Sequence, residues 1–248
     1  MFNVGTTTVT YTVTDAAGNT DNCSFTVTVS DDEDPVIACP ANVAVNNDPG
    51  NCSAVVNGIA PVSPTTTDNC GITVQTWSLS GATTASSPLT GINDASGQVF
   101  NVGVTTVTYI VEDAAGNSAT CNFTVTVTDN EIPTLVCPAN VAVNNDPGNC
   151  SAVVNGIAPV SPTTTDNCGI TIQTWALTGA TTANSAPAGI NDASGQVFNV
   201  GVTTVTYTVT DAAGNTDNCS FTVTVTDNEI PTLVCPANVA VNNDPGNC

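Results

Sequence analysis

The 248-residue chain has no lysine, arginine or histidine against 21 Asp plus Glu, a formal net charge of −21. These absences exclude a good deal. Nucleic-acid binding needs cationic side chains to displace counterions from phosphate, and anionic membrane surfaces repel such a chain. General acid–base work by His or Lys, and Ser-His-Asp or Cys-His nucleophilic chemistry, have no residues to run on, so no enzyme is expected here. Ion pairing within the chain is limited to the terminal amine, and the acids must be solvated or neutralised by a bound cation. Aromatic residues make up only 4%, so a core has to be built mostly from Val and Ile. No apolar run nears the roughly 20 residues of a membrane helix. Met1-Phe2-Asn3-Val4-Gly5 leads straight into a strand pattern, so a secretion signal is expected upstream.

What is present is β-like. Thr, Val, Asn, Gly and Pro dominate, and a hydrophobic content of 41% is enough for a core. The sequence also repeats. Cys23, Cys121 and Cys219 recur at a step of 98 residues, as do Cys39, Cys137 and Cys235, and Trp77 and Trp175. Such a period is a domain length, not a solenoid coil. Boundaries at the acidic clusters divide the chain into a C-terminal part-repeat (1–32), complete repeats at 33–130 and 131–228, and an N-terminal part-repeat (229–248). The part-repeats suit a piece of a longer array, or ends that complete one another between molecules by strand donation into a filament.

Within a repeat, Val9, Tyr11 and Val13 alternate with Thr8, Thr10, Thr12 and Thr14, and Phe25, Val27 and Val29 alternate with Thr26 and Thr28. Alternation with period two predicts strands with one buried face and one Thr-covered face. Further strands are expected at 36–45, 52–58, 71–80, 97–101 and 104–112. About seven short strands per repeat predict an all-β chain of tandem immunoglobulin-like antiparallel β-sandwich domains. Trp77 and Trp175 are expected as core anchors.

These segments resemble the hyalin repeat (HYR) family. The resemblance rests on Val36-Ile37-Ala38-Cys39-Pro40-Ala41-Asn42-Val43, Thr67-Asp68-Asn69-Cys70, Phe100-Asn101-Val102-Gly103-Val104-Thr105-Thr106-Val107-Thr108-Tyr109, and Asp113-Ala114-Ala115-Gly116-Asn117 before Cys121-Asn122-Phe123-Thr124-Val125. It implies extracellular or cell-surface β-sandwich modules associated with adhesion, in bacteria as arrays within long secreted proteins, and no enzymatic activity. This chain departs from the family in lacking every basic residue and in the near-identity of its repeats.

Four cysteines per repeat without paired CxxC spacing point to disulfides and an oxidising compartment. Cys121 shares the phase of the inward Phe123 and Val125, and Cys39 that of Val43, so Cys39–Cys121 is expected, with Cys52–Cys70 as the second bridge. The next repeat gives Cys137–Cys219 and Cys150–Cys168, leaving Cys23, Cys235 and Cys248 over. Cys23–Cys39 and Cys121–Cys137 across the boundaries is the alternative.

The acids cluster at strand ends and boundaries. Asp31, Asp32, Glu33 and Asp34 are expected to converge with Asp68, Asn69 and Asp113. One repeat on, the set is Asp129, Asn130 and Glu131 with Asp166, Asn167 and Asp211, and Asp227 and Glu229 begin a third. Calcium takes six to eight oxygen ligands from such groups, so Ca²⁺ is the expected ion. Magnesium, or plain turn-forming and solubilising acids, are the alternatives. The function expected is a stiff, disulfide-stapled, calcium-rigidified stalk or filament whose partners are further copies of itself. The alternative is a module that binds a glycan or protein through its loops, with residues 86–90 against 184–188, where the repeats diverge most clearly, as the site.

Overall fold

Alternating Val and Thr fix the architecture, because a pleated strand sends successive side chains to opposite faces. In a computed structural model, which describes residues 1–62, 66–160 and 164–247, every regular element is a strand. The chain divides into two units, Met1–Glu131 and Ile132–Cys248.

The first unit opens with a hairpin of β1 (Gly5–Thr14) and β2 (Thr20–Val29). A complete sandwich follows, from β3 (Val43–Asn46), β4 (Ser53–Val56), β5 (Ile72–Gly81), β6 (Ala85–Ser86), β7 (Gln98–Asn101), β8 (Gly103–Asp113) and β9 (Ser118–Thr128). One sheet has the order β3-β9-β8-β5-β6 and the other pairs β4 with β7. All pairings are antiparallel except β3 with β9, which is parallel and sets Val43 opposite Val125. Inward residues of β8 (Val107, Tyr109 and Val111) and Val125 of β9 are fully buried, and Val107, Tyr109 and Val125 share one core with Ala54, Val56 and Phe100 from the smaller sheet. Trp77 is buried in the same core. Val104, one step out of phase on β8, is 54% exposed. Each Val fully removed from water contributes about 1.5–3 kcal/mol.

The Tyr109 hydroxyl accepts a bond from the Ala95 N–H at 2.8 Å and donates to Asp94 at 3.1 Å. Burial pushes its pKa well above the usual tyrosine value. Tyr109→Phe is expected to cost about 1–2 kcal/mol, because the buried Ala95 N–H is left without its acceptor; denaturant melts of wild type and variant check this. Tyr207 makes the same two bonds to Ala193 and Asp192 in the second unit.

The second unit repeats the sandwich with β10 (Val141–Asn144), β11 (Ser151–Val154), β12 (Ile170–Gly179), β13 (Ala183–Asn184), β14 (Gln196–Asn199), β15 (Gly201–Asp211) and β16 (Thr216–Thr226). Its sheets are β10-β16-β15-β12-β13 and β11-β14.

Two expectations are corrected. The strand expected at 36–45 is broken: Val36 makes an isolated bridge to Thr67, and regular pairing begins only at Val43. Pro40 lies between them and has no N–H to give a ladder. The cysteines also divide differently. Cys39–Cys121 and Cys137–Cys219 are formed, with Cα atoms 5.8 and 5.7 Å apart. Cys70 and Cys150, however, are exposed free thiols, while Cys52 and Cys168 are each disulfide-bonded. The expected Cys52–Cys70 and Cys150–Cys168 bridges are therefore not made.

The reason is the path of the chain. Cys52 O accepts from Val102 N beside the start of β8, whereas Cys70 lies just before Ile72, which pairs with Asp113 at the end of β8. Along an eleven-residue strand those ends are about 33 Å apart, and a disulfide tolerates at most about 7 Å between Cα atoms. Cys150 and Cys168 stand at opposite ends of β15 in the same way. Cys23 and Cys235 are free and exposed; Cys248 lies outside the described residues.

Candidate metal centre

The turn Asp113-Ala114-Ala115-Gly116-Asn117 joins β8 to β9 and builds one wall of the site. Gly116 has φ +95°, a conformation that glycine adopts without penalty. The turn folds around a single carboxylate. Asp113 Oδ1 accepts from the N–H groups of Ala115, Gly116 and Asn117 at 2.8, 2.7 and 2.9 Å, and its Oδ2 accepts from Asn117 Nδ2 at 2.7 Å. Burial raises the Asp113 pKa, but the bonds from the Asn117 side chain and from the three N–H groups outweigh it and hold the group below the ordinary carboxylate value. Asp113 is 3% exposed and anionic at neutral pH.

Two more carboxylates reach the same place. Asp68 comes from the loop before β5, where its Oδ2 accepts from Cys70 N at 2.8 Å. Asp31 comes from the link after β2, whose backbone is held by a 3.3 Å bond from Asn117 Nδ2 to Asp31 O. One oxygen from each of Asp31, Asp68 and Asp113 lies within 4.8 Å of the others. Asp31 Oδ2 and Asp68 Oδ1 are shielded from solvent and have no hydrogen-bond partner. The Asp31 carboxylate beside it pushes the Cys70 thiol pKa up to about 11.

Buried polar atoms are rarely left orphaned, and three anions crowd more closely than water alone would favour. A hard divalent cation answers both conditions. Two oxygens that each lie about 2.3–2.6 Å from calcium can be separated by nearly 5 Å, so the spacing here fits a shared ion. No cationic side chain exists in the chain to take its place.

The other residues of the sequence-derived set fall as follows. Glu33 Oε2 accepts from Asn69 Nδ2 at 2.8 Å, so these two pair at the rim. Asp32 and Asp34 are exposed and outside the cluster. Glu131 is taken up at the other end of the sandwich, where both its oxygens accept from Gly50 N, at 2.9 and 3.0 Å. Asn130 N donates to Asn47 Oδ1, and Asp129 Oδ1 accepts from Glu131 N. In the second unit, Asp211 Oδ1 accepts from Gly214 and Asn215, Asp166 Oδ2 from Cys168 N, and Asn167 Nδ2 lies 3.7 Å from Cys168 Sγ. Glu229 accepts from Gly148 N and Asp227 from Glu229 N. Asn117 was missed from the sequence, although its place in an Asp-Ala-Ala-Gly-Asn turn signalled a side chain folding back on the aspartate.

The HYR domain model matches residues 1–29, 30–127 and 128–225. The chain belongs to the HYR domain family. Hyalin of Strongylocentrotus purpuratus is 34% identical over 97% of this chain, and hyalin of Lytechinus variegatus is 33% identical over 93%. The chain spans only 18% and 39% of those two proteins. A serine-rich adhesin for platelets from Staphylococcus aureus (strain MSSA476) is 32% identical over 68% of the chain and 7% of that protein. Both hyalins are sea-urchin proteins, so the comparisons give a bacterial origin no support.

Proposed function

We propose that these HYR repeats form a section of a stiff extracellular stalk used in adhesion or matrix building, with the ends of the repeats clamped by calcium. The observation that carries the reading is the Asp31, Asp68 and Asp113 cluster with its two orphaned oxygens. These ligands come from the link after the hairpin, from the loop before β5 and from the β8–β9 turn. One ion held by all three ties the preceding chain to the body of the sandwich. When bound, it supplies charge neutralisation and a rigid oxygen-lined joint. The period of 98 residues carries the same residue types to Asp129, Asp166 and Asp211.

Support for an extracellular place comes from the Cys39–Cys121 and Cys137–Cys219 disulfides and from relatives named as hyalin and adhesin. The partners proposed are further repeats in series and a surface ligand. The role proposed is structural, in keeping with relatives named as hyalin and adhesin.

Isothermal titration of chelator-treated protein with calcium is expected to give saturable heat with a dissociation constant of about 10⁻⁴–10⁻³ M, the range of extracellular modules. Asp31→Asn is expected to weaken it at least about tenfold. No heat, together with electron micrographs unchanged by chelator, would sink the proposal.

A further inference from the structure

The two complete repeats act as each other's control. Outside residues 34–38, nearly all their differences gather on one surface. They fall on the outward positions of β5, β8 and β9 and on the segment from β6 to Thr90, whereas β4 and β7 are unchanged in β11 and β14. On that surface the first repeat has a shallow groove of about 140 Å³, lined by Thr76, Ser78, Ser86, Leu89 and Ile110 among others. Leu89 is 85% exposed and Ile110 44%. Thr76 pairs with Ile110 across β5 and β8, and Glu112 follows on the same outward row. In the second repeat the corresponding residues are Pro187, Thr208 and Thr210, so two apolar side chains and an acid disappear together.

The backbone that displays them does not change. Asn93 Nδ2 donates to Gln75 O, Thr90 O and Pro88 O at 3.0, 2.9 and 3.3 Å. Asn191 holds Gln173 O, Ala188 O and Ala186 O in the same way. A fixed frame with exchanged side chains is a presentation surface, and its rigidity keeps the ordering cost of binding low. Exposed aliphatics grouped on an otherwise Thr-covered sheet also mark a contact site.

We propose that this face of the first repeat docks a cationic polypeptide segment. An aliphatic or aromatic side chain of that segment enters between Leu89 and Ile110, and a Lys or Arg lies against Glu112. The sign follows from the charge. Every ionised side chain of this chain is an acid, so a second copy is repelled and a basic partner is drawn in. The groove lies on the sheet face, so this inference goes beyond the stalk reading and stands whether or not calcium binds.

The test is an amide NMR titration of the full chain with a synthetic peptide of alternating Lys and Leu. Polylysine serves as the charge-only probe and a neutral oligosaccharide as the glycan probe. The peptide is expected to give saturable shifts at residues 86–91 and 108–112 and none at 184–189 and 206–210. The variant S86N/P88A/L89P/T90A/I110T/E112T gives the first repeat the second repeat's residues, which that sandwich already carries, and is expected to bind at least tenfold more weakly. The converse N184S/A186P/P187L/A188T/T208I/T210E is expected to create the same response in the second repeat. Equal shifts in both repeats, polylysine binding as well as the peptide, a response to the oligosaccharide instead of the peptide, or no saturable shift would each overturn the proposal.

Discussion

Removing the Cys39–Cys121 bridge with the double variant C39A/C121A is expected to destabilise the first sandwich by about 4.5 kcal/mol on loop-entropy grounds. The bridge closes a long loop, with 82 residues separating its cysteines. It ties the segment before β3 to β9, so it fixes the parallel edge that β3 alone, at four residues, holds weakly. A domain of this size has a total margin of about 5–15 kcal/mol, and this one has no side-chain ion pairs to add to it. The melting temperature of the first sandwich should therefore fall by about 20 °C or more. The second sandwich keeps Cys137–Cys219, so the variant should melt in two steps where full reduction lowers both. Calorimetry of the wild type, the double variant and the reduced protein measures this. A melting temperature unmoved by reduction would mean that the Val-rich core holds the sandwich by itself.

That bridge was legible in the sequence, because Cys121 shares the phase of Phe123 and Val125, and phase along a strand survives without knowledge of the loops. The Thr/Val rows of β8 and β9 were readable for the same reason. Cys52 and Cys70 were not, because their placement depends on the route of the chain between them, and that route carries it from one end of the sandwich to the other. Loop routes leave no periodic signal. Nor does β6, whose two residues are too few to show alternation; it exists because Ser78 and Leu79 of β5 offer a free edge. At the candidate metal centre, carboxylates at strand ends were enough to suggest Asp31, Asp68 and Asp113. Sequence could not separate these from Asp32 and Asp34, whose neighbours on the chain are just as acidic, nor foresee that Glu131 would cap the turn at Gly50, 81 residues away.

Calcium at about one hundred times its dissociation constant is expected to stabilise the first unit by about 2.7 kcal/mol, since an ion bound only by the folded state adds its binding free energy to folding. That corresponds to a rise in melting temperature on the order of 10 °C, reversed by chelator. Asp68→Asn should abolish most of the rise while leaving the calcium-free melting temperature close to wild type, because its Oδ1 has no partner in the folded chain and an amide oxygen at the other position can still accept from Cys70 N. Asp113→Asn differs. It removes the anion that three N–H groups and the Asn117 amide surround, so it should lower stability with or without calcium. Acid separates the two roles further. The folded state holds the Asp113 pKa below its ordinary value, so this carboxylate's stabilisation is complete above the unfolded value of about 3.9 and is lost as the pH falls through the lower folded value. A calcium-dependent rise that persists in both variants would place the ion elsewhere. A rise lost in Asp68→Asn at neutral pH but kept in the wild type would assign it to this cluster.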